Sequence, residues 1–233
     1  MDTYEKLFIS SEIDDVISFL PYPAHIKDSK NGKYICTNIA TLEFFNLRTT
    51  KQFIGLTIKD IDIFMSPYWG TKFTNYVEKL EYMVLDRKEK IIGQMHTILL
   101  QNGQLMVQQM EKIPLIDNNG KASSILTSSH NLIDKLSLKK LYNLYKNYFK
   151  NKSKAISGLL NHIGLESYFT DLPTEDELMV LLTQRIYDNH DEVARVLNIS
   201  LSAVSKYAYM LQGKIKNEDI TGVLATIRDL RKF

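Results

Sequence analysis

Two turn dipeptides, Asn102-Gly103 and Asn119-Gly120, separate three β-prone runs at 91–100, 104–116 and 121–130. Tight hairpins require positive φ at their central residues, and Asn and Gly adopt it at the least steric cost. The three runs therefore predict an antiparallel meander. A further hairpin is expected upstream, where His25-Ile26-Lys27 enters the turn Asp28-Ser29-Lys30-Asn31-Gly32 and Tyr34-Ile35-Cys36-Thr37 returns. Between the two strand groups the pattern turns helical. Ile39–Phe45 follows Asn38, a good N-cap, and 71–87 shows helical spacing through Phe73, Tyr76, Val77, Leu80 and Val84. The stretch between them reads as loop-rich, punctuated by Gly55 and the Ser66-Pro67 pair. Residues 3–20 read as a short amphipathic helix, with Ile13, Val16, Ile17 and Leu20 on its apolar side and Pro21 and Pro23 ending it.

Past residue 133 the chain reverts to helix. Leu141, Leu144, Tyr148, Ala155 and His162 approximate a connecting helix over 134–165, with a break expected near Lys150–Ser153. Pairing with a twin helix in a homodimer and packing on its own N-terminal domain are equally compatible with this pattern. Seven lysines and no acid lie between Lys135 and Lys154. Such a run makes either a solvated face or a collar near nucleic-acid phosphates. Asp171-Leu172-Pro173-Thr174 marks a boundary, and Thr174 with Glu177 forms a capping-box pattern. Four short helices follow, at about 175–186, 189–197, 201–213 and 217–231, with Asn198-Ile199-Ser200 as a three-residue turn between the second and third.

On the third of these helices, Val204 and Leu211 supply an inner face. Ser202, Ser205, Lys206 and Tyr209 fall on the outer one, where hydroxyl, ammonium and phenol groups can meet base edges or phosphates. Val193, Ala194 and Leu197 make the inner face of the preceding helix, and Ile199 plugs the turn. These residues, Glu192-Val193-Ala194, Leu197, Ile199-Ser200, Val204, Leu211 and Lys214-Ile215, resemble the LuxR-type (GerE-like) helix-turn-helix, as does the upstream pattern of Thr174, Glu177, Val180 and Leu181. The resemblance covers about a quarter of the chain. It implies base reading by Ser205, Lys206 and Tyr209 and phosphate contacts near Ser200, Ser202 and Lys214, with double-stranded DNA as partner. Two departures stand out. The family's T-V-K-x-H stretch reads Ala203-Val204-Ser205-Lys206-Tyr207, and its usual glycine between the first two helices is replaced around Tyr187. Residues 171–233 also hold 8 Lys and Arg against 10 Asp and Glu, whereas DNA-binding domains are usually basic.

The order of elements over 22–133 resembles a PAS domain. The stretches that carry this are Ile26-Lys27-Asp28, Gly32-Lys33-Tyr34, Asn38-Ile39-Ala40, Ile54-Gly55, and Lys112–Asp117 with Asn119-Gly120-Lys121. The resemblance implies a sensor for a small molecule or a partner. A pocket is expected between residues 39–80 and the strands of 91–130, lined by aromatic side chains such as Phe73 and anchored by Gln94, His96 or Gln108. No cofactor is assigned. Covalent flavin chemistry needs a cysteine on the helix facing the ring, and Cys36 lies on a strand. Haem needs an axial ligand, and residues 39–88 contain no His. The five histidines lack partners at metal spacing, so no metal site is expected.

The expected architecture is thus α+β: an N-terminal helix at 1–21, a PAS-like antiparallel sheet with helices at 22–133, a linker and dimerisation helix at 134–170, and an all-α helix-turn-helix domain at 171–233. The expected function is sequence-specific DNA binding under control of the sensor. A LuxR-type quorum-sensing regulator with an autoinducer-binding domain is an alternative, as is an interaction adaptor with a degenerate helix-turn-helix. Catalytic motifs are lacking, and Asp14-Asp15 and Asp60/Asp62 read as surface or cap residues. The single cysteine, the acidic start Met1-Asp2-Thr3-Tyr4-Glu5 and the lack of a long apolar run point to a cytoplasmic chain with no membrane partner.

Overall fold

The computed structural model describes residues 11–70, 72–100, 102–218 and 220–229. The described chain falls into two compact units. The first runs to Leu99 and resumes over Met106–Leu132, and the second takes in Leu100–Leu105 and the chain from Ile133 onward.

The first unit is built on a six-stranded antiparallel sheet: β1 (Ala24–Asp28), β2 (Tyr34–Thr37), β3 (Ile91–Ile92), β4 (His96–Leu99), β5 (Leu105–Ile116) and β6 (Ala122–Asn131). The order is β2-β1-β6-β5-β3, with β4 also on β5. Its first and last strands, β1 and β6, sit centrally, and three of its α-helices lie between β2 and β3, the PAS-like arrangement expected from the sequence. Side chains alternate between the two faces of a strand. Ala24 and Ile26 of β1 point to the face covered by α1 (Ser11–Ser18), where they pack with Ile17. His25 and Lys27 point to the other face, which carries α2 (Ile39–Phe44), α3 (Ile58–Trp69) and α4 (Phe73–Arg87). The part of the expected N-terminal helix before residue 11 lies outside the described residues.

Local chemistry accounts for these elements. The Asn38 side chain caps α2 by accepting from the Thr41 backbone N–H at 2.9 Å, and its amide also donates to the Leu20 and Tyr22 carbonyls. Gly103 and Gly120 have φ of +80° and +74°, as their turns demand. Two expectations are corrected. The middle segment is not loop-rich, because Thr57 and Asp60 form a capping box and Ile58, Ile61, Met65 and Trp69 bury one face of α3. Pro67 sits inside that helix, in its last turn. The carbonyl four residues back that would otherwise receive its missing N–H belongs to Ile63, an exposed residue whose carbonyl water can reach. The run 91–100 is likewise not one strand. It is interrupted after Ile92, where a Cβ on Gly93 would lie 2.5 Å from the Tyr76 hydroxyl and where that hydroxyl accepts from the Gln94 N–H at 2.6 Å.

The second unit is helical: α5 (Leu138–Phe149), α6 (Lys152–His162), α7 (Glu175–Gln184), α8 (His190–Leu197), α9 (Leu201–Gln212) and α10 (Ile220–Asp229). The break expected near Lys150–Ser153 falls at Lys150, which has φ of +51°, and at Asn151, which caps α6. The two halves fold onto each other. Gly158 of α6 meets α5 so closely that a Cβ there would lie 2.7 Å from the Tyr145 ring. Both helices also pack on α7. No helix of the described residues is long and apolar enough to cross a membrane.

Candidate functional site

In the second unit, the site is an exposed helix face on an apolar scaffold. The α8 to α9 connection is made tight by Asn198, in the left-handed region at φ +55°, and by Ser200, whose hydroxyl accepts from the Ala203 N–H at 3.1 Å. Val180, Val193, Ala194 and Val204 form the buried cluster beneath it, with Leu197 and Ile199 packed against them. Leu211 and Ile215 are buried further along. Burying Val204 and Leu211 fixes the rotation of α9, so Ser202, Ser205, Lys206 and Tyr209 all face outward and are exposed, Tyr209 at 80%.

Two of the expected phosphate contacts have duties inside the unit. Ser200 caps α9 and lies 3.0 Å from the Ser202 hydroxyl. Lys214 donates to the Glu177 carboxylate at 2.7 Å and to the Leu172 carbonyl at 3.4 Å, which leaves one of its three N–H groups. Glu177 is fully buried. Burial alone would raise its carboxyl, but hydrogen bonds from Lys214 and from the Thr174 N–H hold it below its ordinary value. The spacing Thr174, Glu177, Lys214 therefore builds a polar lock between α7 and the end of α9, made on Glu177 Oε2. The Thr170 N–H reinforces it by donating to the Lys214 carbonyl at 2.8 Å. Of the lysine run, Lys146 and Lys152 hold Glu175 at 2.5 and 2.8 Å, and these bonds bring its carboxyl down to about 2.

In the first unit, the interior facing α2–α4 is polar and charged. Lys27 and Lys112 both donate to Glu81 Oε1, at 2.7 and 2.9 Å, and Lys112 also donates to the Thr127 hydroxyl at 3.0 Å. The two lysine side chains are only 3% and 1% exposed. Burial lowers the Lys27 ammonium to about 8 against the opposing pull of Glu81. Burial would raise Glu81, but the two ammoniums hold it below its ordinary value. Burial, with Lys112 and Lys27 nearby, pushes His25 well below its ordinary value and leaves it neutral.

The sheet register explains the cluster: Lys112 pairs with Thr127, and Thr127 with His25, in one row across three strands. A cavity adjoins this row, with about 20 Å³ open to the centre of a water molecule. It is walled by aromatic side chains, among them Tyr34, Phe45, Trp69 and Phe73, and its polar lining is His25, Gln108, Lys112, Thr127 and Ser129. Phe73 and Gln108, two of the residues expected to line a ligand pocket, lie on this cavity. Gln94 does not: it is exposed, and its backbone is tied to Tyr76. His96 meets Phe73 edge-on and Tyr76 at a tilt, at 5.5 and 4.1 Å between centroids, outside the cavity lining. The expected ligand-sized hollow is here a void with room for a water or two, because large rings fill the space. The buried lysines went unremarked in the sequence. Carrying the period of two from His25 to Lys27, and across the registers to Lys112, is the signal that would have found them.

No protein-family model matches the chain, and no curated protein matches it. Among solved structures, it is similar to VqmA of Vibrio cholerae in a complex with ligand and DNA, at 20% identity and a TM-score of 0.45 over 96% of this chain and 87% of that one. It is also similar to a phage VqmA–DPO complex, at 18% and 0.45 over 94% and 84%. A third is the PAS domain of Bordetella pertussis BvgS, at 17% and 0.46 over 60% and 97%.

Proposed function

We propose that the chain is a sequence-specific, DNA-binding transcriptional regulator, acting as a homodimer, whose PAS-like unit senses a small molecule or a partner. The observation that carries this reading is the face of α9. Two polar hydroxyls, an ammonium and a phenol project from one side of a helix whose opposite side buries Val204 and Leu211, after a three-residue turn from α8. A helix held in this way can lie in a major groove, with Ser205, Lys206 and Tyr209 towards base edges and Ser200 and Ser202 towards phosphates. The remaining N–H of Lys214 is a further phosphate donor. In a symmetric pair, two such helices call for an approximately palindromic operator.

The test is genome-wide binding of the tagged protein. Enrichment at discrete sites that weakens with added salt is expected, and uniform background would overturn the reading. The formal charge of −2 over 171–233 favours a second reading, in which the unit is a protein-interaction adaptor. Against it, the acids cluster on α7 and α8, while the stretch 201–216 holds Lys206, Lys214 and Lys216 and no acid.

A further inference from the structure

Helices α5 and α6 pack on α7 and belong to the same compact unit as α7–α10. This changes the charge of that unit. Residues 171–233 alone carry a formal −2, whereas residues 133–233 hold 15 Lys and Arg against 12 Asp and Glu. The reversal comes from the seven lysines between Lys135 and Lys154, set against Asp134 and Glu166, the two acids of residues 133–170. Lys139, Lys140 and Lys150 are exposed. Among the described residues, the ion pairs of this run are those of Lys146 and Lys152, both on Glu175.

Helix stability does not explain where these lysines sit. A helix N-terminus favours acids and disfavours cations. Yet the first turn of α5 carries Lys139 and Lys140, that of α6 carries Lys152 and Lys154, and neither turn holds an acid. The placement also has a direction. Lys139, Asn143, Lys146 and Lys150 recur at steps of four, three and four residues, so they share one side of α5 and its C-cap. From this side Lys146 reaches Glu175 in the first turn of α7. The next residue, Asp176, accepts from the Tyr207 hydroxyl of α9 at 3.2 Å. The lysine stripe and the flank of α9 therefore meet at two consecutive residues of α7. Glu175 and Asp176 are the acids at that meeting point, and Lys139, Lys146, Lys150 and Lys152 outnumber them.

Resting on the reading of α9 as a helix that lies in a major groove, we infer that the lysine side of α5 is a second DNA surface, which binds phosphates and reads no bases. The major groove is about 12 Å wide, so a phosphate backbone runs close beside a helix seated in it. Lys139 and Lys150 are the phosphate donors, and the exposed Asn143 amide between them can donate as well. Lys146 and Lys152 are occupied by Glu175. The stripe supplies the sequence-independent attraction to DNA that the charge of residues 171–233 does not. A merely solvated face would leave the affinity for DNA untouched.

The experiment measures binding of the full-length protein to a random-sequence DNA duplex across a salt series, for the natural chain and for the double variant Lys139→Gln/Lys150→Gln. Each phosphate contact contributes about 0.9 to the log–log salt slope. The double variant is therefore expected to bind with a slope shallower by about 2, and with affinity at low salt reduced on the order of tenfold or more. Lys139→Arg/Lys150→Arg keeps both charges and should keep the natural slope. A folded glutamine variant with the natural slope and affinity would overturn the inference. Should the pair of changes prevent folding, Lys150→Gln alone decides: a slope shallower by about 1 is expected, and an unchanged slope overturns the inference. Lys206→Glu separates this inference from the reading it rests on. A chain weakened at Lys206 but not at Lys139 and Lys150 retains the major-groove reading and loses the second surface. A natural chain with no salt-dependent binding at all overturns both.

Discussion

The two units bury opposite kinds of chemistry. Beneath α9, the interior is Val180, Val193, Val204 and Leu211, Glu177 with its partner Lys214 is the buried charge, and the other polar groups of α9 face out. In the sheet unit, Lys27, Lys112, Thr127, Gln108 and His25 are inside, beside aromatic rings. An apolar interior makes the helical unit a rigid mount, whose exposed face can change without disturbing the fold. A charged interior couples the stability of the sheet unit to whatever balances its charges. The difference separates a unit that turns its polar side chains outward from one that buries them.

Removing the shared carboxylate should break the comparison most severely. Glu81→Ala leaves two buried ammoniums unpaired, and it is expected to destabilise the sheet unit by about 3–5 kcal/mol, read as a lowered urea midpoint for that unit. In the helical unit the matching experiment is Leu211→Ala. It leaves a void in an apolar core and is expected to cost about 2–5 kcal/mol, with no change in the pH dependence of stability.

That pH dependence sharpens the contrast further. The folded-state value of Lys27 is about 8, against an ordinary 10.5. Above pH 8 the unfolded chain therefore holds more protons at this site, and stability should rise with pH from about 8 towards 10. Higher still, Tyr34 opposes the trend, because burial raises its phenol well above 10 and the unfolded chain then loses that proton first. On the acid side, Glu81 and Glu175 are both held below 4.5, Glu175 at about 2. Their contribution is present above pH 4.5 and is lost as the pH falls below it. Urea midpoints measured across pH 3–10 check both limbs.

The sequence made some of this legible and not the rest, for local reasons. Positive φ at Gly103 and Gly120 and the side-chain caps at Asn38, Thr174 and Ser200 are written in a few neighbouring residues, so hairpins and helix starts could be read directly. The outward face of α9 was equally legible, because one helical period sorts Val204 and Leu211 from Ser205, Lys206 and Tyr209. Helix α3 was not, since Pro67 reads as a breaker until its place in the last turn is known. The charged interior was least accessible. Lys27, Glu81 and Lys112 lie on three separate elements, and only the strand register and the fold of α4 bring them together.

The smallest expected effect on stability comes from Lys206→Glu, an exposed change worth no more than about 0.5 kcal/mol, and it bears most directly on the central claim. DNA affinity of the natural protein and of this variant should be measured across a salt series, with unfolding curves to confirm that both are folded. A folded variant that has lost on the order of tenfold or more in affinity, with a log–log salt slope shallower by about 1, is expected. A folded variant that binds DNA as the natural protein does, with the same slope, would contradict the central claim.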